Sequence, residues 1–339
     1  MHKRRFNEFT LTFALRPQGP LLIKSGQESG ADPTLLDMNF VRTDHAQLGK
    51  TVFLPGSSLK GTMRSYAEKI ARTLAAGREN QLPPLSCNPL TRSDKPGDQY
   101  NCGYAAEQKK LEGGAKVHKH ACPICRTFGN TTLAAHLRLA DAYPQNPLLA
   151  EDADLFHQTN HTSPRDGVAI DRISGSVAHG PFTLEVVTQG AFYTSFTLHN
   201  FQLWQLGLLA IVLRDIGQGR VPMGFAKSRG LGRMEIEYLA AEISYPARFS
   251  SQEGAFDFAA NVYDVSQFMN VKAGDNPYDY FPVEEAIGMP AGGELVEDGS
   301  YGRIATRLTG EQIDQLWRAA VPYWAGFVQN WQQEAAHAS

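Results

Sequence analysis

The tightest constraint on how this chain folds is the break at Pro55-Gly56. Before it, Thr51 to Leu54 is a short apolar run. After it, Leu59, Met63, Tyr66, Ala67, Ile70, Ala71 and Leu74 recur at helical spacing. The pattern predicts a strand, a tight turn and a helix over 58–75 with one buried face. Ser57 or Ser58 can cap that helix by accepting a hydrogen bond from an early amide. Lys60, Arg64 and Glu68 fall four apart on another face, which stands two cations together near the helix start. A glycine turn, unpaired amides, the positive end of the helix dipole and two cations suit a phosphate. The plain alternative is an ordinary capped helix with a solvated charged flank.

A second glycine-marked stretch lies far downstream. Residues 224–234, GFAKSRGLGRM, read as a basic loop running into a strand over Arg233 to Leu239. Glycine lets the backbone take conformations other residues resist and lets a ligand approach closely. Lys227, Ser228, Arg229 and Arg233 supply charge and donors there. A strand follows the loop, so it is neither a Walker loop nor a dinucleotide fingerprint. The pair, PGSSLKGTMR early and GFAKSRGLGRM late, resembles the RAMP superfamily, the RNA-binding subunits of CRISPR effector complexes. More narrowly, it resembles the backbone subunit of type III complexes, which forms a filament along the guide RNA. The resemblance spans roughly residues 8–245. It implies three kinds of partner: a guide crRNA, a complementary target RNA and neighbouring subunits. On that reading Ser57, Ser58, Lys60, Arg64, Lys227, Ser228, Arg229 and Arg233 hold RNA.

The remaining elements fit one plan. Glu8 to Leu15 alternates apolar and polar residues as a strand does, and Leu21 to Lys24 extends the sheet. Leu133 to Ala140, Phe182 to Val187 and Phe192 to His199 read as further strands. Phe201 to Arg214 reads as an apolar helix. Strand, helix, strands, helix, strand is the ferredoxin-like (RRM-like) order of an α+β fold. We expect this domain over residues 1–245, interrupted at 77–130 and 157–180, and an extension over 246–339. Within the extension, Phe256 to Met289 is acidic and aromatic. Thr309 to Phe327 is helical, and Pro322 either interrupts that helix or begins another. This tail closes the core or docks a neighbouring subunit; stacking on bases is a third, weaker use.

Four cysteines, Cys87, Cys102, Cys122 and Cys125, fall within forty residues, the last two as Cys-Pro-Ile-Cys. In a cytoplasmic protein this concentration speaks for metal before disulfide. A structural Zn2+ site is the expectation, with His118 and His120 as alternate ligands. A redox pair and four unliganded thiols are the other readings. The polar 77–121 segment has little core of its own, so a metal would explain its shape. Zinc knuckles also occur in the family it resembles.

In that family the loop before the Pro-Gly-Ser-Ser turn carries an aspartate that supports metal-dependent cleavage of target RNA. Asp37 matches its setting best, and Asp32 competes with it. A carboxylate there holds a divalent cation such as Mg2+ or Mn2+, or orients the attacking 2′-hydroxyl. His45 is a nearby candidate helper. Otherwise both aspartates are turn residues. The resemblance also makes 157–180 a protruding hairpin, or thumb. Arg165 and Arg172 there meet phosphate, and Val168, Ala169 and Ile170 wedge into the guide–target duplex. The reading is therefore an RNA-guided metal-dependent endoribonuclease. The alternatives are a scaffold or cap without chemistry, and a metal-independent guide-processing nuclease that relies on histidine.

Charge distribution agrees with an RNA-facing front. The chain's net charge of −3 gives no bulk attraction to RNA. Residues 1–72, however, hold eleven Lys/Arg against six Asp/Glu, and residues 253–299 hold ten Asp/Glu against one Lys. No apolar run approaches bilayer length, which leads us to expect a cytoplasmic protein and no membrane partner.

Overall fold

Phe9, Leu11, Phe13 and Leu15 are all buried, so the alternation read in the sequence does mark the sheet's inward face. The computed structural model describes residues 4–26, 37–75, 82–96, 99–146, 148, 153–249, 252–254, 256–269 and 276–337. Its centre is built from β1 (Glu8–Pro17), α1 (Gly56–Leu74), β2 (Leu137–Leu139), β3 (Phe192–His199), α2 (Leu203–Gly217) and β4 (Met234–Pro246). Two more strands, β5 (Glu294–Asp298) and β6 (Arg303–Leu308), precede α3 (Glu311–His337). The sheet runs β5-β6-β4-β1-β3-β2, every neighbour antiparallel. Its inner order, 4-1-3-2 with a helix after the first and third strands, is the ferredoxin-like arrangement expected.

α2 is buried around almost its whole circumference, because α3 covers the side the sheet does not. A Cβ on Gly207 would collide with the Ala320 carbonyl, so these two helices meet backbone to backbone. Trp204 and Phe327 stack across the contact at 4.4 Å. α3 continues through Pro322 as one helix. An interior proline costs roughly 3 kcal/mol. Here the buried stripe of Leu316, Trp317, Ala320, Trp324 and Phe327 offsets it.

Other expectations are corrected. Residues 182–187 do not join the main sheet; Val177–Val186 pairs with Ser163–Ile170 in a separate hairpin. Gly49–Val52 likewise pairs with Arg42–His45, off the sheet. Of the strand expected over 133–140, only three residues pair, because Asn130 turns the chain by accepting from the Thr132 and Leu133 amides. The tail's aromatic run closes the core: Phe256, Phe258, Tyr263 and Phe268 pack as a ring cluster against Tyr245. No helix among the described residues is long and apolar enough to cross a membrane.

Candidate nucleic-acid interface and metal centre

The start of α1 is held by a residue the sequence did not suggest. The helix opens at Gly56, and neither serine caps it. Asp141, beside the end of β2, accepts from the Gly56 amide at 2.7 Å and sets a negative charge on the positive helix end. Gly56 must be glycine, since a Cβ would meet the Leu139 and Ala140 carbonyls. Ser57 and Ser58 lie in the first turn, Ser57 exposed.

The two flanks of α1 do different work. Lys60, Arg64, Glu68 and Arg72 share one flank, and protein groups take up their charges. Lys60 Nζ donates to the Leu137 carbonyl at 3.0 Å; burial, then the nearby Arg64 charge, hold its pKa below the usual lysine value. Arg64 donates to Glu68 at 2.9 Å, to the Gly129 carbonyl at 2.8 Å and to Cys125 Sγ at 3.5 Å. The expected pair of phosphate-facing cations therefore points toward the edge of β2 and the cysteine segment. A four-residue spacing sets which residues share a face, not what that face meets.

Thr62, Ser65, Tyr66 and Lys69 form the other flank, at i, i+3, i+4 and i+7. They line a cavity of about 340 Å3 whose opposite wall is the glycine-marked loop, through Lys227 and Ser228, and the Arg220–Pro222 run just before it. The two stretches singled out in the sequence do meet here. Sequence reasoning missed Lys69 and Arg220, although the polar stripe 62-65-66-69 was a visible signal. Tyr66 donates its phenol to Asp215 at 2.6 Å, which raises the Tyr66 pKa. Asp215 is buried, yet the Arg214 and Tyr66 bonds outweigh that burial and lower its pKa. Its carboxylate lies 3.7 Å from Arg220 and so orients a cation of the cavity wall.

The loop's own shape depends on glycine. Gly232 has φ +85°, and a Cβ there would strike the Met223 carbonyl. Arg229 and Arg233 are exposed beside it. Backbone bonds tie the loop to the 20–25 segment: Gly232 N to Pro20 O at 2.9 Å and Phe225 N to Leu22 O at 2.8 Å. The far side of this 20–25 segment bonds to 37–41, Ser25 N to Asn39 O at 3.0 Å and Val41 N to Ile23 O at 2.9 Å. Leu21 pairs with Val187 at the root of the 163–186 hairpin. Loop, 20–25 segment, aspartate segment and hairpin root form one strip of paired backbone, in which Leu21 and Leu22 are buried.

Asp37 is exposed on that strip, and its Oδ2 accepts from the Thr183 amide at 2.8 Å. Thr183 Oγ1 in turn donates to Asp166 at 2.7 Å, which brings a second carboxylate to the same threonine. Asp32 lies outside the described residues. His45 is tethered in its own turn, its Nδ1 accepting from the Gln47 amide at 3.2 Å. Arg165 and Arg172 are exposed along the hairpin. Its apolar residues also face solvent, Ile170 at 62% and Ile173 at 97% exposure.

The cysteine segment closes as expected. The sulfurs of Cys87, Cys102, Cys122 and Cys125 all lie within 4.8 Å of one another, and all four residues are buried. Tetrahedral sulfurs bonded to zinc at about 2.3 Å stand roughly 3.8 Å apart, so the set fits Zn2+. Cys102, Cys122 and Cys125 hydrogen-bond to Cys87 and pull its pKa down, while burial pushes Cys122 up. A divalent cation ionises the set together. The alternate ligands are engaged elsewhere. His118 is buried with Nδ1 on the Tyr278 carbonyl at 2.6 Å, and burial, then Arg126, keep it neutral. His120 Nδ1 meets the Lys116 carbonyl at 2.9 Å.

The RAMP superfamily model matches residues 15–235, which hold both glycine stretches, the cysteines and the hairpin. No curated protein matches the chain as a relative.

Proposed function

The chain belongs to the RAMP superfamily, and on that premise we propose that it is a guide-RNA-binding backbone subunit of a type III CRISPR effector complex. RAMP proteins are CRISPR-associated and bind RNA. The observation that carries the finer reading is the groove between α1 and the glycine-marked loop, with Lys69, Arg220 and Lys227 on its walls. Exposed cations there neutralise successive phosphates. Ser65 and Ser228 offer hydroxyls to phosphate or ribose oxygens. Such contacts track a backbone and do not read letters; base pairing between guide and target reads sequence. The hairpin supplies an exposed apolar tip at the far end of the same strip.

Cleavage of target RNA is assigned to Asp37. Its bond to the Thr183 amide fixes the carboxylate beside the hairpin root, where it orients a 2′-hydroxyl or ligates a divalent cation. Asp37 and Asp166 fit part of such a shell, with water and phosphate oxygens completing it. A bound cation stabilises charge on the phosphate during displacement. The same bond also supports a scaffold without chemistry, since Asp37 then simply clips 37–41 to the hairpin.

One experiment on the assembled complex separates these readings. Lys69→Ala, Arg220→Ala and Lys227→Ala should each weaken guide binding alike across unrelated guides. Each should also lower the salt slope by about 0.7 per lost phosphate contact. Asp37→Asn should leave binding intact and abolish Mg2+-dependent, EDTA-sensitive target cleavage. Unchanged slopes in all three lysine and arginine variants would remove the groove from RNA binding. Cleavage that survives Asp37→Asn would remove Asp37 from catalysis.

A further inference from the structure

Arg64 looks, by sequence, like a partner for RNA, yet its side chain is turned to the cysteine cluster. Two of the four sulfurs accept a backbone amide: Cys102 from Cys122 N at 3.2 Å, and Cys122 from Cys125 N at 3.4 Å. Cys125 accepts from Arg64 Nη2 at 3.5 Å. Four thiolates around Zn2+ carry a net charge of −2, and burial makes that excess costly unless cations or donors face it. Arg64 is, among the described residues, the cation seen donating to one of these sulfurs.

Arg64 also heads a ladder along α1. Glu68, buried, accepts from Arg64 at 2.9 Å and from Arg72 at 3.1 Å. Arg72 then donates to the Cys87 carbonyl at 2.9 Å. The flank therefore grips both cysteine-bearing segments, one at a sulfur and one at a backbone oxygen. Beside it opens a cavity of about 380 Å3, lined by Arg64, Cys87 and Cys125 but not by Cys102 or Cys122. Arg64 thus lines the cavity together with the two cysteines on that side of the cluster.

We propose that Arg64 is a positioning residue of the metal centre: it balances the thiolate charge and guards the side from which the metal exchanges. This rests on the zinc reading of the cysteines.

The test uses zinc-loaded full-length protein and a chromophoric chelator in excess. Arg64→Gln should release zinc roughly tenfold faster than the unsubstituted chain. Arg64→Lys, which keeps the charge, should stay within about threefold of it. Neither variant should change the salt slope of guide-RNA binding. Equal release from all three proteins overturns the proposal, as does Arg64→Lys releasing as fast as Arg64→Gln. A slope lowered with zinc retention intact returns Arg64 to RNA. An unsubstituted chain that purifies without zinc overturns the metal centre itself, a distinct failure. A second measurement needs no variant. During chelation, a small maleimide should label Cys87 and Cys125 before Cys102 and Cys122. Even labelling of the four overturns the guarded entrance.

Discussion

The two flanks of α1 carry similar side chains to opposite ends. On one, Arg64 and Arg72 reach carbonyls, a buried carboxylate and a cysteine sulfur. On the other, Lys69 stays exposed at the wall of the groove. What separates a structural cation from a binding one is whether protein oxygens already occupy its donors. Arg126, in the cysteine segment, is the extreme case. It is 1% exposed and bonds to the carbonyls of Ala121, Lys119 and Asp279 and to the Asp279 carboxylate, and it lies 4.8 Å from the Trp331 ring.

Removing a metal held by the four cysteines should break this contrast hardest. Chelation, or Cys125→Ser, should lower stability on the order of several kcal/mol, roughly 10 °C or more in Tm. RNA affinity should persist below that lowered Tm if the flanks are independent. A joint collapse of zinc and RNA binding in folded protein would show that they are one unit. Next in size, Arg126→Met should cost about 2–4 kcal/mol, through lost hydrogen bonds to three carbonyls. It should leave the salt slope of RNA binding alone. A Tm within 2 °C of the original would mean the buried guanidinium is not what joins this segment to the tail.

The smallest effect concerns pH at the hairpin root. Burial pushes the Glu185 pKa up, but bonds from Arg42, Thr162 and the Phe40 amide outweigh it and hold it below the ordinary glutamate value. A lowered carboxylate pKa adds stability that is full above the unfolded value and fades as pH falls through the folded one. Protection of the Phe40 amide from hydrogen exchange should therefore weaken below pH 4.5, because that amide donates to Glu185 at 2.7 Å. Constant protection throughout the acid range in which the fold persists would show that Glu185 is not its support.

The central sheet was legible because alternation along β1 and β3 and the apolar α2 are local signals. β5 and β6 were not: ELVED and RIATRL carry too much charge to show a buried face. β6 becomes a strand by pairing with β4, a partner 57 to 67 residues back, and β5 by pairing with β6. The four sulfurs were legible from spacing, since a Cys-x-x-Cys turn places two of them by itself. The groove was half legible. Lys227 and Ser228 announced themselves beside glycines, whereas Arg220 depends on Asp215 and Tyr66, which meet only in the fold. The flank shared by Lys60, Arg64 and Glu68 was legible but its surroundings were not, because helical periodicity does not say which insertion lies beside it. Asp141 was invisible, being 85 residues from the amide it caps.

The two rims of the sheet bear on how such subunits can adjoin. At one rim β5 presents Glu294, Glu297 and Asp298 and has a bulge after Leu295. At the other, β2 is three residues long and yields its Leu137 carbonyl to Lys60. Carboxylates, a kink and shortness are the devices that keep a stray ribbon from annealing to an open margin. Copies of this chain laid end to end would therefore have to touch through side chains and loops, leaving each sheet its own.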